Sequence, residues 1–194
     1  MRGTDDDPTR LRTLVTAAQQ GDQDAFEALV ATYRPRILRF LVQHTADPLL
    51  AEDLTQETFL AAFRSLGQLR DGAAFRAWLY TIARRQLARA RRHGAFRRLL
   101  SLDQPMISAA WVQLPRALAD TEHLRERVQA ALASLPAPWR TVLLLHEVEG
   151  LTTVETATVE GITPAAARQR LSRAHRAFRM RYAALEQEDR DAPG

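Results

Sequence analysis

Apolar residues recur at helical spacing along most of the chain, and strand-like alternation is absent from the pattern. Leu11, Leu14, Val15 and Ala18 mark a short first helix that Gly21 ends. Phe26, Leu29, Val30, Tyr33, Ile37 and Phe40 form the apolar face of a second helix, opened by an Asp24/Glu27 capping box. Pro35 falls inside it, and an internal proline costs ~3 kcal/mol unless a kink absorbs it, so a bend is expected there. Asp47-Pro48 reads as the N-cap and first residue of a third helix, which runs to Leu66 and stops at Gly67. On that helix Thr55, Thr58, Phe59, Ala62 and Leu66 point one way, and Asp53, Gln56, Glu57, Leu60 and Arg64 the other. A fourth helix, over about 75–92, buries Phe75, Trp78, Leu79, Ile82, Gln86 and Ala90, and Gly94 is its natural stop.

From Ala95 to Asp120 the periodicity fades, interrupted by Pro105 and Pro115. So long a linker implies two domains, and its Trp111 hints at docking onto another surface. Order returns with Leu124, Val128, Ala131, Leu132 and Leu135, a stripe that ends at Pro136. Pro138 opens a near-continuous apolar helix, Trp139–Val148, before Gly150. Residues Met1–Pro8, with three consecutive aspartates, and the acidic last dozen read as frayed tails. The fold class is therefore all-α, two small helical domains joined by a flexible linker.

The clearest local signals lie between Leu151 and Tyr182. Thr152 and Glu155 form a capping box that starts a helix at Thr153. It ends near Glu160, Gly161 makes the turn, Thr163 caps the next helix, and Pro164 occupies its first position. Ala167, Leu171, Ala174 and Phe178 give this second helix an inward face. Its other faces carry Arg168, Gln169, Arg170, Ser172, Arg173 and Arg176, side chains that suit base edges and phosphates. A solvated basic face on an ordinary helical hairpin is the bland reading. The capping, the short turn and the small Ala157 at the expected crossing favour a DNA-binding helix-turn-helix.

Charge sharpens this picture. The net charge of +4 hides eight arginines and no acid in Gly72–Leu102, and six arginines and no acid in Gly161–Leu185. The remainder holds 13 of the 27 basic residues against all 23 acids, a net of −10. Two basic stretches on an otherwise acidic chain suggest two contacts with a polyanion. On the fourth helix Arg76, Arg84, Arg85, Arg89, Arg91 and Arg92 stand with Trp78 and Tyr80, the mixture of charge and rings that single-stranded DNA binding uses. Trp78 fits the core better, whereas Tyr80 falls off the apolar stripe and stays open between core and platform.

Several classes drop out. Without cysteine there are neither disulfides nor thiolate metal sites. No apolar run approaches the ~20 residues of a membrane helix and nothing resembles a signal peptide, so a cytoplasmic protein without membrane insertion is expected. Glu52, Asp53 and Glu57 lack a further ligand at metal spacing. His146-Glu147 begins like a zinc-protease motif, but Gly150 stands where the second histidine belongs, so no metal, cofactor or enzymatic activity is expected.

Taken in order, five segments make the chain resemble the extracytoplasmic-function sigma factors of bacterial RNA polymerase. Phe26–Leu41 (FEALVATYRPRILRFL), Ala51–Leu66 (AEDLTQETFLAAFRSL) and Phe75–Ala83 (FRAWLYTIA) are similar to the family's region two, and Leu135–Leu151 (LPAPWRTVLLLHEVEGL) and Gly161–Ala174 (GITPAAARQRLSRA) to its region four. The resemblance implies a tail and short helix over 1–21, a region-two helical bundle over 22–94, a linker over 95–120, a region-four helix-turn-helix over 121–183 and a tail over 184–194. It implies binding to core polymerase through its β′ and β subunits, with Asp53, Gln56 and Glu57 on the β′ coiled coil. It further implies that the loop Arg70, Asp71, Gly72, Ala73, Ala74 and Phe75, with Tyr80, Arg84 and Arg85 on the helix after it, reads and melts the minus-10 element. Flipping a base there costs a few kcal/mol of stacking, so a specific pocket is needed. Arg168, Gln169, Ser172 and Arg173 would read the minus-35 element, with Arg170 and Arg176 on phosphates. An anti-sigma factor is an expected partner, and with no extra C-terminal domain regulation is expected from outside the chain.

Two departures bear on promoter choice. Arg85 stands where such proteins often carry asparagine, and Ala165, Ala166 and Ala167 replace the more usual glycine, threonine and valine. The alternative is a stand-alone helix-turn-helix regulator with an N-terminal sensing or dimerisation domain. It explains the C-terminal half equally well, but not a second arginine-rich helix preceded by an acidic one.

Overall fold

The computed structural model describes residues 7–45, 47–100 and 122–191, all of them in helices or short connections, with no strand among them. The chain forms two compact units, 1–110 and 111–194. The tail before Asp7, residues 101–121 with Pro105, Trp111 and Pro115, and the last three residues lie outside the described residues.

In the first unit α1 is Pro8–Gln19, α2 Gln23–Thr45, α3 Pro48–Ser65 and α4 Phe75–Leu100. Asp7 and Pro8 open α1 rather than ending a tail, because the Asp7 carboxylate accepts from Thr9 N–H at 3.0 Å. Asp22, not Asp24, caps α2: its Oδ1 accepts from Ala25 N–H at 3.0 Å, two residues earlier than the sequence pattern suggests. The helix runs on through Pro35, which sits on its exposed side. Asp47 caps α3 as expected, accepting from Leu49 and Leu50 N–H at 3.0 and 3.2 Å.

The core of this unit is aromatic where α2 meets α4. Tyr33 lies 5.4 Å from Phe75, and Phe40 meets Tyr80 edge-on at 5.4 Å. The hydroxyls of Thr55 and Thr58 are buried yet satisfied, donating to Ala51 O and Leu54 O within α3. Gly94 does not stop α4, which continues to Leu100. A glycine inside a helix costs only about 1 kcal/mol, too little to end it.

In the second unit α5 is Glu122–Ala133, α6 Ala137–Leu143, α7 Thr153–Glu160 and α8 Pro164–Asp191. The apolar helix anticipated as far as Val148 changes character: Leu144–Val148 is a π-turn, with Glu149 N–H bonded to Leu144 O at 3.0 Å. A run of five buried residues, Thr141 to Leu145, crosses from α6 into this turn. The boundaries of α7 and the start of α8 agree with the capping signals. The acidic C-terminal segment is not frayed, since α8 continues to Asp191.

Candidate nucleic-acid interface

The helix-turn-helix is built by local chemistry. Thr152 Oγ1 accepts from Glu155 N–H at 3.2 Å, while Glu155 Oε2 accepts from Thr152 N–H at 2.7 Å. Gly161 then adopts φ +65°, a left-handed conformation that side chains with a Cβ resist, and α7 ends. Thr163 Oγ1 accepts from Ala166 N–H at 3.2 Å, and α8 begins.

On α8 the inward face is as the periodicity anticipates: Ala167, Leu171 and Ala174 are buried and Phe178 partly so. Arg168, Gln169, Ser172, Arg173 and Arg176 are all exposed, at i, i+1, i+4, i+5 and i+8, which places them along one stripe. Arg170 stands apart from them. Its Nη1 lies 3.2 Å from the Glu160 carboxylate, whose side chain is 4% exposed, so it ties the end of α7 to α8. A second tie, His175 Nε2 to Glu147 Oε1 at 3.1 Å, joins α8 to the π-turn.

In the first unit the connection between α3 and α4 is two short 3₁₀ turns, Leu66–Gln68 and Gly72–Ala74. Asp71 shapes the second, accepting from Ala73 N–H at 3.0 Å. Arg70, Asp71 and Ala74 are exposed, and Gly72 and Ala73 half-buried. Phe75 is not available to DNA in this fold: it is fully buried against Tyr33 and near Trp78. Tyr80 is likewise core, 0% exposed, so its ring is no stacking platform. The position off the apolar stripe is explained by α2, which covers that side of α4 and offers it Phe40. Arg85, Arg89 and Arg92 are exposed and Arg84 half-buried. Arg91, also exposed, donates to His44 O at 3.0 Å, and desolvation of its guanidinium lowers its pKa from the usual value.

Asp53, Gln56 and Glu57 are exposed on α3. Beside them the sequence pattern had hidden a groove of about 370 Å³ between α2 and α3, floored by Phe26, Val30 and Phe59 and edged by Asp53, Gln56, Leu60 and Phe63. Leu60 and Phe63 are 45% and 60% exposed, an unusual loss for large apolar side chains. The readable signal was that α3 carries apolar residues on two faces: Leu49, Leu60 and Phe63 share with Asp53 and Gln56 the side away from the core. Among the described residues no three carboxylate or imidazole groups converge as metal ligands, and no helix is long and apolar enough to cross a membrane.

Two all-α units, one a capped helix-turn-helix and one with an arginine-rich helix beyond an acidic helix, define a DNA-binding protein of transcription. Residues 29–97 match sigma-70 region 2, and residues 125–182 match sigma-70 region 4. The RNA polymerase sigma-H factor of Pseudomonas aeruginosa is 35% identical, over 85% of this chain and 90% of that protein. The RNA polymerase sigma factor CarQ of Myxococcus xanthus is 35% identical over 88% and 96%, and the ECF RNA polymerase sigma-E factor of Escherichia coli 31% identical over 86% and 91%. Among solved structures, CnrH in complex with the cytosolic domain of CnrY is similar with a TM-score of 0.65 and 25% identity, covering 94% of this chain and 99% of that one. The sigma factor RpoE of Bartonella quintana, solved with the anti-sigma factor NepR, shares the fold with a TM-score of 0.69 and 22% identity, covering 80% and 95%. The chain belongs to the extracytoplasmic-function sigma factors of bacterial RNA polymerase. It directs transcription initiation with core polymerase on promoter DNA, and sigma factors in general bind DNA rather than catalyse a reaction.

Proposed function

We propose how the work is divided along this chain. Residues 22–94 bind core polymerase and read and melt the minus-10 element, residues 121–183 read the minus-35 element, and 95–120 links them. The observation that carries the reading is the pairing of two separately exposed surfaces: the Arg168–Arg176 stripe on α8, and the acidic-apolar edge of α3 beside its groove. The first offers charge and hydrogen bonds to a duplex. The second is too apolar for DNA and too acidic to approach phosphates, but it accommodates a helix of a protein partner.

Asp53, Gln56 and Glu57 therefore contact the polymerase β′ coiled coil. Arg70, Asp71, Gly72, Ala73 and Ala74, with Arg84 and Arg85, form the minus-10 reading surface. Phe75 and Tyr80 support it from beneath. Arg168, Gln169, Ser172 and Arg173 face base edges, with Arg176 on phosphate, while Arg170 chiefly braces the helix. The site of action is the cytoplasm, where polymerase and promoter are found. Because CnrH and the Bartonella RpoE were each solved with a partner, and the latter's is an anti-sigma factor, we assign this chain an anti-sigma partner as well.

The test is in vitro transcription with bacterial core polymerase on a promoter library, with and without the protein. New start sites sharing upstream elements near minus-10 and minus-35, lost with Asp53→Arg plus Glu57→Arg, support this division. Starts that survive the double substitution remove the polymerase contact from α3.

A further inference from the structure

We infer that α1 is a positioning device for the loop between α3 and α4, with Gln19 as its clamp and Gly72 as its point of contact. The inference rests on the reading of that loop as the minus-10 surface. The helix α1, with Gln19, precedes the region 2 match, which begins at residue 29 and includes the loop.

The loop spans few residues and buries no side chain of its own between Leu66 and Phe75. Left to local forces, such a segment would sample many conformations, and ordering it would detract from DNA binding. Two features of α1 remove that freedom. The Gln19 side-chain amide uses both its hydrogens, donating to Leu66 O at 2.9 Å and Leu69 O at 2.8 Å, so one side chain spans the first 3₁₀ turn and reaches the residue before Arg70. At the second turn Gly72 lies so close to α1 that a Cβ built on it would stand 3.0 Å from Arg12 Cα and 3.3 Å from Val15 Cβ. Val15 and Leu11 are themselves buried, which anchors α1. An exposed pair, Arg12 Nε to Asp71 Oδ1 at 3.4 Å, adds little beyond direction. The loop is thus tied at residues 66, 69 and 72, and between and beyond those ties Arg70 and Ala74 face solvent. Gln19 is a positioning residue, since it acts through the loop, and Gly72 is the loop's own point of contact with α1.

The experiment uses the full chain with core polymerase on a duplex promoter identified by its start site. It measures polymerase affinity by competition and promoter opening by the reactivity of unpaired thymines to permanganate. Gln19→Met keeps the side chain's length and removes both hydrogen bonds. Polymerase affinity should stay within about twofold and opening should fall by about tenfold. Gln19→Leu, shorter and equally unable to bond either carbonyl, should lower opening likewise, and it decides the matter if Gln19→Met does not fold. Opening at the wild-type level in either folded variant overturns the inference, as does a loss of opening matched by an equal loss of polymerase affinity. A wild-type protein that opens no promoter overturns the functional reading and this inference with it. A wild-type protein that opens one, with Gln19→Met equal to it, overturns only the inference.

Discussion

Arg170→Ala separates bracing from DNA binding on a single helix. Glu160 ends α7 with its side chain 4% exposed, and Arg170 Nη1 lies 3.2 Å from its carboxylate. Removing one partner of a fully buried ion pair costs about 3–5 kcal/mol, because the other charge is stranded away from water. Arg170 is itself 35% exposed, so solvent screens the pair, and Glu160 keeps interactions besides this one. A loss of about 1–2 kcal/mol is the discounted expectation. In a domain of this size each kcal/mol moves the melting temperature by about 4–8 °C, so the second unit should melt about 5–15 °C lower. Calorimetry of the full chain reads the transition, and hydrogen exchange of the α7 and α8 amides assigns it to this unit. Glu160→Gln in the Arg170→Ala background should restore most of the loss, since a neutral amide is cheaper to leave without its partner than a carboxylate. A melting change below about 2 °C with unchanged exchange in α7 would refute the brace and return Arg170 to the phosphate-binding set.

Further outcomes follow from the same geometry. Arg176→Ala should leave melting unchanged while weakening binding to all DNA sequences and lowering the salt slope by about 1, measured by anisotropy titrations at several salt concentrations. Tyr80→Ala should destabilise the first unit by about 3–5 kcal/mol in denaturant titrations, because the ring is fully buried against Phe40. Equal stability with a selective loss of DNA binding would mean that the ring leaves the core. Gly161→Ala should cost about 1–2 kcal/mol through backbone strain alone, since φ is +65° and no atom lies within 4 Å of the added Cβ. Gly67→Ala, equally unobstructed but without a positive φ, is the comparison that should show no such loss.

What was legible in the sequence was what adjacent residues decide. The Thr152/Glu155 box, Gly161 and Thr163-Pro164 act within a few residues of themselves, so the limits of α7 and the start of α8 followed from chemistry alone. The exposed stripe from Arg168 to Arg176 followed too, because once a helix is phased by its apolar face its other faces are determined. At the start of α2 the local signal misled. The spacing to Glu27 pointed to Asp24 as the cap, whereas the capping carboxylate is that of Asp22, directly after Gly21 at φ +94°.

Tertiary structure alone decided the rest, for the reason that packing partners lie far apart in the chain. Tyr80 is core because Phe40 of α2 meets it, and Phe75 because Tyr33 does. Arg170 is a brace because α7 presents a buried carboxylate ten residues earlier in the chain. The groove beside Asp53 is lined by residues of both α2 and α3, with Phe26 meeting Phe63 across it edge-on, and Gln19 finds the carbonyls of Leu66 and Leu69 across a separation of about fifty residues. Periodicity records which face of a helix is apolar; it carries no information about which other helix covers it, and on that choice each of these roles depends.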